Sequence, residues 1–229
     1  MEAIILAGGF GTRLAARLNN IPKPMAPVAG RPFLEILLRH LERNGCTRVL
    51  LSVGHLHQVI RNHFGPAWGG IELEYVVEQE PLGTGGAIRA ALDQIREESA
   101  LVLNGDTFLA ADLRAMMVAH SQAHAVFSMA VAQQPDIARY GGVVVEDGRV
   151  RGFEEKSRSG PGWINAGVYA LRRDLAWPAG LADKFSFERD FMMPQVAQLA
   201  PLAFPVEGFF LDIGVPEDLD RAQTELAGF

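Results

Sequence analysis

Short apolar runs alternate with amphipathic stretches along this chain, and the alternation predicts most of its elements. Ala3, Ile4, Ile5 and Leu6 form a first apolar run, read as a strand over residues 2–7. Pro32 opens a helix reaching about Asn44, with Phe33, Leu37 and Leu41 on one face and Gly45 as its stop. An apolar run over 48–53 is a buried strand, and 57–64 a short helix. Ile71, Leu73, Tyr75 and Val77 alternate with polar residues, the period of a strand. Ala87, Ile88, Ala91, Leu92 and Ile95 mark a helix over 85–95, followed by a buried strand over 100–103. Asp112 caps a helix that carries Leu113, Met116 and Met117, and another strand covers 126–131.

Past residue 140 the pattern changes. Residues 143–146 and 150–154 flank Asp147-Gly148, a hairpin signal. Residues 165–171 read as a strand, and Ser186 caps a helix that Pro194 interrupts. A strand over 209–213 and a helix from Pro216 complete the pattern. Strands separated by helices predict an α/β fold with a mostly parallel, mixed central sheet and helices on both faces. The expected layout is one domain over 1–229 in two parts, about 1–135 and about 136–229, the second a small β region that reads as a substrate-binding lobe inside the same domain.

Composition narrows the class. The 229 residues are 48% apolar, enough for a substantial core. A net charge of −6 with no basic run excludes a nucleic-acid surface. No apolar run is long enough to span a bilayer and no signal-peptide pattern precedes the first strand, so the expectation is a cytoplasmic protein without a membrane partner. Cys46 alone makes no disulfide and reads as a small buried hydrophobe. The histidine pairs His55/His57 and His120/His124 lack a third ligand at zinc-type spacing.

The chemistry gathers after the first strand. Leu6-Ala7-Gly8-Gly9-Phe10-Gly11-Thr12-Arg13-Leu14 is a glycine loop with a hydroxyl and a guanidinium, and Pro22-Lys23-Pro24-Met25 adds an ammonium. Such a loop offers backbone N–H groups and two cations to a polyphosphate. It lacks the Gly-Lys-Ser/Thr ending of a Walker A loop. It also lacks the third small residue and following acidic residue of a dinucleotide fingerprint. Asp106 ends the buried run Leu101-Val102-Leu103-Asn104-Gly105, where open α/β sheets bind ligands. Asp212, between Leu211 and Ile213, is the carboxylate expected to join it on Mg²⁺.

The paired GGxGTRL and PKP motifs, both at family-like spacing, resemble the sugar-phosphate nucleotidyltransferases. That resemblance implies a Rossmann-like fold, with a nucleotide-binding part about 1–135 and a sugar-binding part about 136–229, and a reaction in which a sugar 1-phosphate and an NTP give an NDP-sugar and pyrophosphate. It implies that Leu6, Ala7, Gly8, Gly9, Gly11, Thr12, Arg13, Lys23, Glu78, Pro81 and Gly83 bind the nucleotide. Arg13, Lys23 and Asp106 then act in catalysis, with Asp106 and Asp212 on the metal. Asn104, Gly142, Glu155, Lys156 and Asn165 hold the sugar phosphate. Glu78 opens Glu78-Gln79-Glu80-Pro81-Leu82-Gly83-Thr84, which resembles the family's base-reading segment. A carboxylate only accepts hydrogen bonds, and guanine offers adjacent N1–H and N2–H₂ donors, so the expected partner is GTP. The segment Phe210–Leu219 and the short length are most similar to the family's manno-heptose 1-phosphate guanylyltransferases. Mannose-1-phosphate guanylyltransferases and N-acetylmuramate-1-phosphate uridylyltransferases remain alternatives, as does a non-catalytic nucleotide-sugar sensor.

Overall fold

The structure, a computed structural model, describes residues 1–9, 14–18, 21–155 and 158–229. Strands β1 (Glu2–Leu6), β4 (Arg48–Val53), β6 (Ile71–Val77) and β7 (Ser99–Asn104) pair in parallel in the order β7-β1-β4-β6. Their side chains alternate between two apolar clusters, one on each face. Ala3 and Ile5 of β1 enter one cluster and Ile4 the other; in β4, Val49, Leu51 and Val53 oppose Leu50 in the same way. Strands buried on both faces need apolar residues on both, which is why the runs of β1, β4 and β7 are nearly continuous, whereas β6, nearer the edge, alternates with polar residues.

Helices cover both faces. α2 (Phe33–Arg43), α3 (His57–Phe64), α5 (Leu113–Gln122) and α7 (Pro216–Glu225) pack on the first cluster. α4 (Gly83–Leu92) and a π-helical segment, Phe187–Met192, pack on the second. α5 starts where the sequence places it: Asp112 accepts from the Ala115 N–H at 2.8 Å. Asn44, at the end of α2, accepts from the Leu113 N–H at 2.9 Å and so caps the same helix from outside.

Beyond β7 the sheet continues in an order that is not sequential. β12 (Gly162–Arg172) lies antiparallel between β7 and β9 (Phe127–Gln134); β13 (Leu202–Val206), β11 (Arg149–Phe153) and β10 (Val143–Glu146) follow. Antiparallel β5 (Ala67–Trp68) closes the other edge. β6, β4, β1, β7, β9, β13 and β10 point one way and β12, β11 and β5 the other, a mixed but mostly parallel sheet. The region past residue 140 contributes β10, β11, β12 and β13 to this same sheet.

Other differences from the sequence reading have local causes. α4 begins at Gly83, two residues early, and ends at Leu92. β13 escapes detection because Pro205 sits in a short run without clean alternation. The helix capped by Ser186 starts as a π-helix, and Pro194 opens the α6 helix (Met193–Leu199) instead of breaking one. Phe210–Asp212 (β14) lies outside the large sheet and pairs with β8 (Thr107–Leu109). Two further residues pairs, β2 (Pro27–Val28) and β3 (Arg31–Pro32), make a small hairpin. Cys46 is buried, and burial pushes its thiol up to about 11. Among the described residues no helix is long and apolar enough to cross a membrane.

Candidate active site

The carboxyl ends of β1, β4, β6 and β7 open onto one cleft, the place where a sheet of this kind leaves room for a ligand. Lys23 enters it on a 3-10 turn, Lys23–Met25, held by Ala26 N–H on the Lys23 carbonyl at 2.9 Å. The flanking Pro22 and Pro24 restrict the backbone on either side. Its ammonium lies 2.6 Å from Asp106 Oδ2.

Asp212 reaches the same place by a different route. β14 pairs with β8 so that Asp212 stands opposite Thr107, next to Asp106, and the Ile213 N–H donates to the Asp106 carbonyl at 2.9 Å. Burial, and then the negative charge of Asp106, push the Asp212 carboxyl above its ordinary value. Arg139 lies 3.8 Å from Asp212 and also pairs with the buried Asp218 of α7. Two acidic groups drawn together in partial burial are a hard-oxygen site that a divalent cation would satisfy.

Three recesses line the cleft. The first, about 260 Å³, is bordered by Leu6, Gly9, Lys23, Thr84, Asn104 and Asp106. The second, about 410 Å³, is bordered by Asn104, Asp106, Thr107, Arg139, Gly142, Glu155, Asn165 and Asp212. Asn104 and Asp106 thus face both. The third holds Gly8, His55, His57, Glu78, Gln79 and Pro81. Glu78 is fixed at both oxygens: Ser52 Oγ donates to Oε1 at 3.1 Å and the Leu82 N–H to Oε2 at 2.9 Å. A Cβ on Gly8 would come within 2.7 Å of that carboxylate, so only glycine leaves room for it.

Of the residues singled out in the sequence, Leu6, Gly8, Gly9, Lys23, Glu78, Pro81, Asn104, Asp106, Gly142, Glu155, Asn165 and Asp212 border these recesses. Ala7 is buried, and its N–H is committed to the Ser52 carbonyl at 2.7 Å. Gly83 opens α4 against the Phe185 carbonyl. Gly11, Thr12, Arg13 and Lys156 lie outside the described residues.

Sequence reasoning missed Thr84, Thr107, Arg139, Tyr169 and Glu188, all of which border the cleft. Two of them had a signal: Thr84 closes the Glu78–Thr84 segment, and Glu188 follows the Ser186 cap by two residues. Thr107, Arg139 and Tyr169 come from separated elements and belong to no motif.

Two recesses that share Asn104 and Asp106, with Asp212 on the second, agree with what is known of similar chains. The family model described as Nucleotidyl transferase matches residues 2–228. The chain belongs to the nucleotidyl transferase family. It is 42% identical to a D-glycero-alpha-D-manno-heptose 1-phosphate guanylyltransferase of Aneurinibacillus thermoaerophilus, over 99% of this chain and 98% of that one. The corresponding Campylobacter jejuni protein is 43% identical over 95% and 96%. The crystal structure of HddC from Yersinia pseudotuberculosis superposes with a TM-score of 0.86 at 35% identity, covering 98% and 99% of the two chains. A second structure of that protein is complexed with GMP-PN. This nucleotidyl transferase therefore shares the mixed-sheet fold and nearly the full length of these relatives.

Proposed function

We propose that this chain transfers GMP from GTP to D-glycero-α-D-manno-heptose 1-phosphate, releasing pyrophosphate. The observation that carries the reading is that Asp106 borders both the nucleotide-side and the sugar-side recess, with Lys23 on it and Asp212 beside it. A group transferred between two substrates must sit where both reach it. The guanylyltransferase relatives at 42–43% identity over almost the whole chain support the choice of base and sugar. A mannose-1-phosphate guanylyltransferase of Mycobacterium tuberculosis is 33% identical over 99% of this chain but only 64% of its own length, which keeps mannose 1-phosphate as the second reading.

In the proposed reaction a phosphate oxygen of the sugar 1-phosphate attacks the α-phosphorus of GTP. The bond from that phosphorus to the pyrophosphate oxygen breaks. The nucleophile is already an anion, so positioning and charge neutralisation dominate over base catalysis. Lys23 neutralises the α-phosphate, Arg13 the leaving pyrophosphate and Lys156 the sugar phosphate. Leu6, Gly8, Gly9, Gly11 and Thr12 line the nucleotide, and Glu78 with Pro81 faces the base. Asn104, Gly142, Glu155 and Asn165 hold the sugar. Asp106 and Asp212 would hold Mg²⁺, which when bound neutralises phosphate charge. Working on GTP, such an enzyme belongs in the cytoplasm.

The test is pyrophosphate release measured over four NTPs and a panel of sugar 1-phosphates, with and without Mg²⁺. GTP with the manno-heptose 1-phosphate should give the highest kcat/KM. A higher value with UTP, or with a gluco-configured sugar, would refute the assignment.

A further inference from the structure

The π-helical segment Phe187–Met192 places one carboxylate where the nucleotide-side and sugar-side recesses meet. Glu188 borders both. A π-helical turn of this kind often marks a functional position, and here it is firmly held. Ser186 Oγ accepts from the Arg189 N–H at 3.2 Å, and Thr84 Oγ1 accepts from the Phe187 N–H at 2.9 Å. The rings of Phe187 and Phe191 stack on each other at 5.4 Å, both buried.

The side chain is also aimed. Asn165 Nδ2 donates to Glu188 Oε1 at 3.1 Å, and the Tyr169 hydroxyl donates to the same oxygen at 3.3 Å. Asn165 is itself oriented, since its Oδ1 accepts from the Gly167 N–H at 3.0 Å and its Nδ2 donates to Tyr169 at 2.8 Å. The Tyr169 hydroxyl stays protonated, because burial and then the Glu188 charge raise its pKa well above the ordinary value. These contacts depend on an irregularity in β12. Asn165 pairs with Val131 and Tyr169 with Met129, so residues 166–168 stand opposite Ala130 alone. Gly167 takes φ +68° there, and a Cβ on it would lie 2.6 Å from Asn104 Nδ2.

We infer that Glu188, positioned by Asn165 and Tyr169, is the specificity residue that accepts a hydrogen bond from the sugar 2-hydroxyl. The inference rests on the proposed guanylyltransferase reading. A carboxylate is an acceptor only, and it repels phosphate, so at the meeting of the two recesses it faces a hydroxyl. The sugar phosphate lies toward Asp106 and Lys23, and the hydroxyl nearest the phosphorylated carbon is the one on C2. In a manno-configured ring that hydroxyl is axial, which sets it apart from its gluco epimer. A second polar group awaits a partner in the same cleft: the Thr107 hydroxyl is buried with no hydrogen-bond partner among the described residues.

The experiment compares wild type, Glu188→Gln and Glu188→Ala with GTP and three sugars: the manno-heptose 1-phosphate, its 2-deoxy analogue and its 2-epimer. Glu188 is exposed at the cleft, so the variants should keep the wild-type melting temperature. Wild type should favour the parent sugar over the 2-deoxy analogue by about ten- to a hundredfold in kcat/KM. In both variants that ratio should shrink to within about threefold, through loss of activity on the parent sugar alone, while KM for GTP holds. An unchanged ratio, an equal fall on both sugars, or a loss confined to the KM of GTP would overturn the role of Glu188. That last result would put the carboxylate on the ribose instead. A wild type inactive on every manno-configured 1-phosphate would fail the guanylyltransferase reading itself, and the inference with it.

Discussion

In the proposed reaction Asp106 serves the chemistry and Glu78 the recognition of the base, and substituting each tests the two separately. Asp106→Asn keeps the shape of the side chain but removes the charge that Lys23 meets at 2.6 Å. The variant should fold normally and lose orders of magnitude in kcat, measured by pyrophosphate release. Activity within about threefold of wild type would remove Asp106 from the reaction. Glu78→Gln tests the base. Its Oε2 must remain an oxygen to accept from the Leu82 N–H, so the new NH₂ falls on the Ser52 side, where a hydroxyl can accept. The fold is kept, and guanine then meets a donor where it needs an acceptor. GTP should lose about ten- to a hundredfold in kcat/KM while UTP changes little, and wild type should use ITP at an intermediate rate. Unaltered preference in the variant would assign base reading to the backbone or another residue.

The ends of the strands divide the labour between stability and function. At the end of the sheet opposite the cleft, Arg48 of β4 is buried and pairs with Glu2 of β1 and Glu74 of β6, tying three parallel strands together. Glu2 also accepts from the Arg96 N–H at 2.7 Å and the Glu97 N–H at 2.9 Å. Burial alone would raise the Glu2 carboxyl; the Glu97 N–H, Arg48 and the Arg96 N–H outweigh it and hold the carboxyl below its ordinary value. A lowered folded-state value means stability that is present above the unfolded carboxylate pKa. It declines as pH falls from the ordinary carboxylate range toward the folded value, and is gone below that value. Glu2→Gln should cost about 3 kcal/mol in urea unfolding at neutral pH and flatten that acid dependence. Its kcat should match wild type, because the pair lies at the far end of the strands from Asp106. The sequence shows Glu2 and Arg48 only as charges at strand starts, and Glu74 only as a polar position inside a strand. Their meeting requires the parallel register Glu2↔Arg48 and Arg48↔Glu72, which neighbouring strands decide together.

The sheet does not follow chain order, and from that the whole chain is expected to unfold as one unit. β12 separates β7 from β9, so a fragment ending at residue 135 would leave β7 unpaired on that side and β9 without β12. Such a fragment should show no cooperative unfolding transition by circular dichroism. A stable, folded 1–135 fragment would establish a separable nucleotide-binding part. In the intact chain, Mg²⁺ with GTP should raise the unfolding free energy by about 2.7 kcal/mol at a hundred times its Kd. The sugar 1-phosphate should add to this, since in the proposed reaction both ligands meet at Asp106.

The parallel core, the cap of α5, the hairpin at Asp147-Gly148 and the motif residues Lys23, Asp106 and Asp212 were all legible from local pattern. Apolar periodicity, capping and turn preference act over a few residues, so neighbours in sequence carry them. The glycine turn, with φ +51° at Asp147 and +69° at Gly148, shows how far local chemistry reaches. What tertiary structure alone decided was which strands became neighbours and which side chains faced each other across the cleft. β12 between β7 and β9, Asp212 opposite Thr107, and Glu188 against Asn165 and Tyr169 each join segments far apart in the chain. Their pairing depends on burying two apolar faces at once and on pairing the backbone groups of the buried strands, conditions that hold only for the assembled molecule.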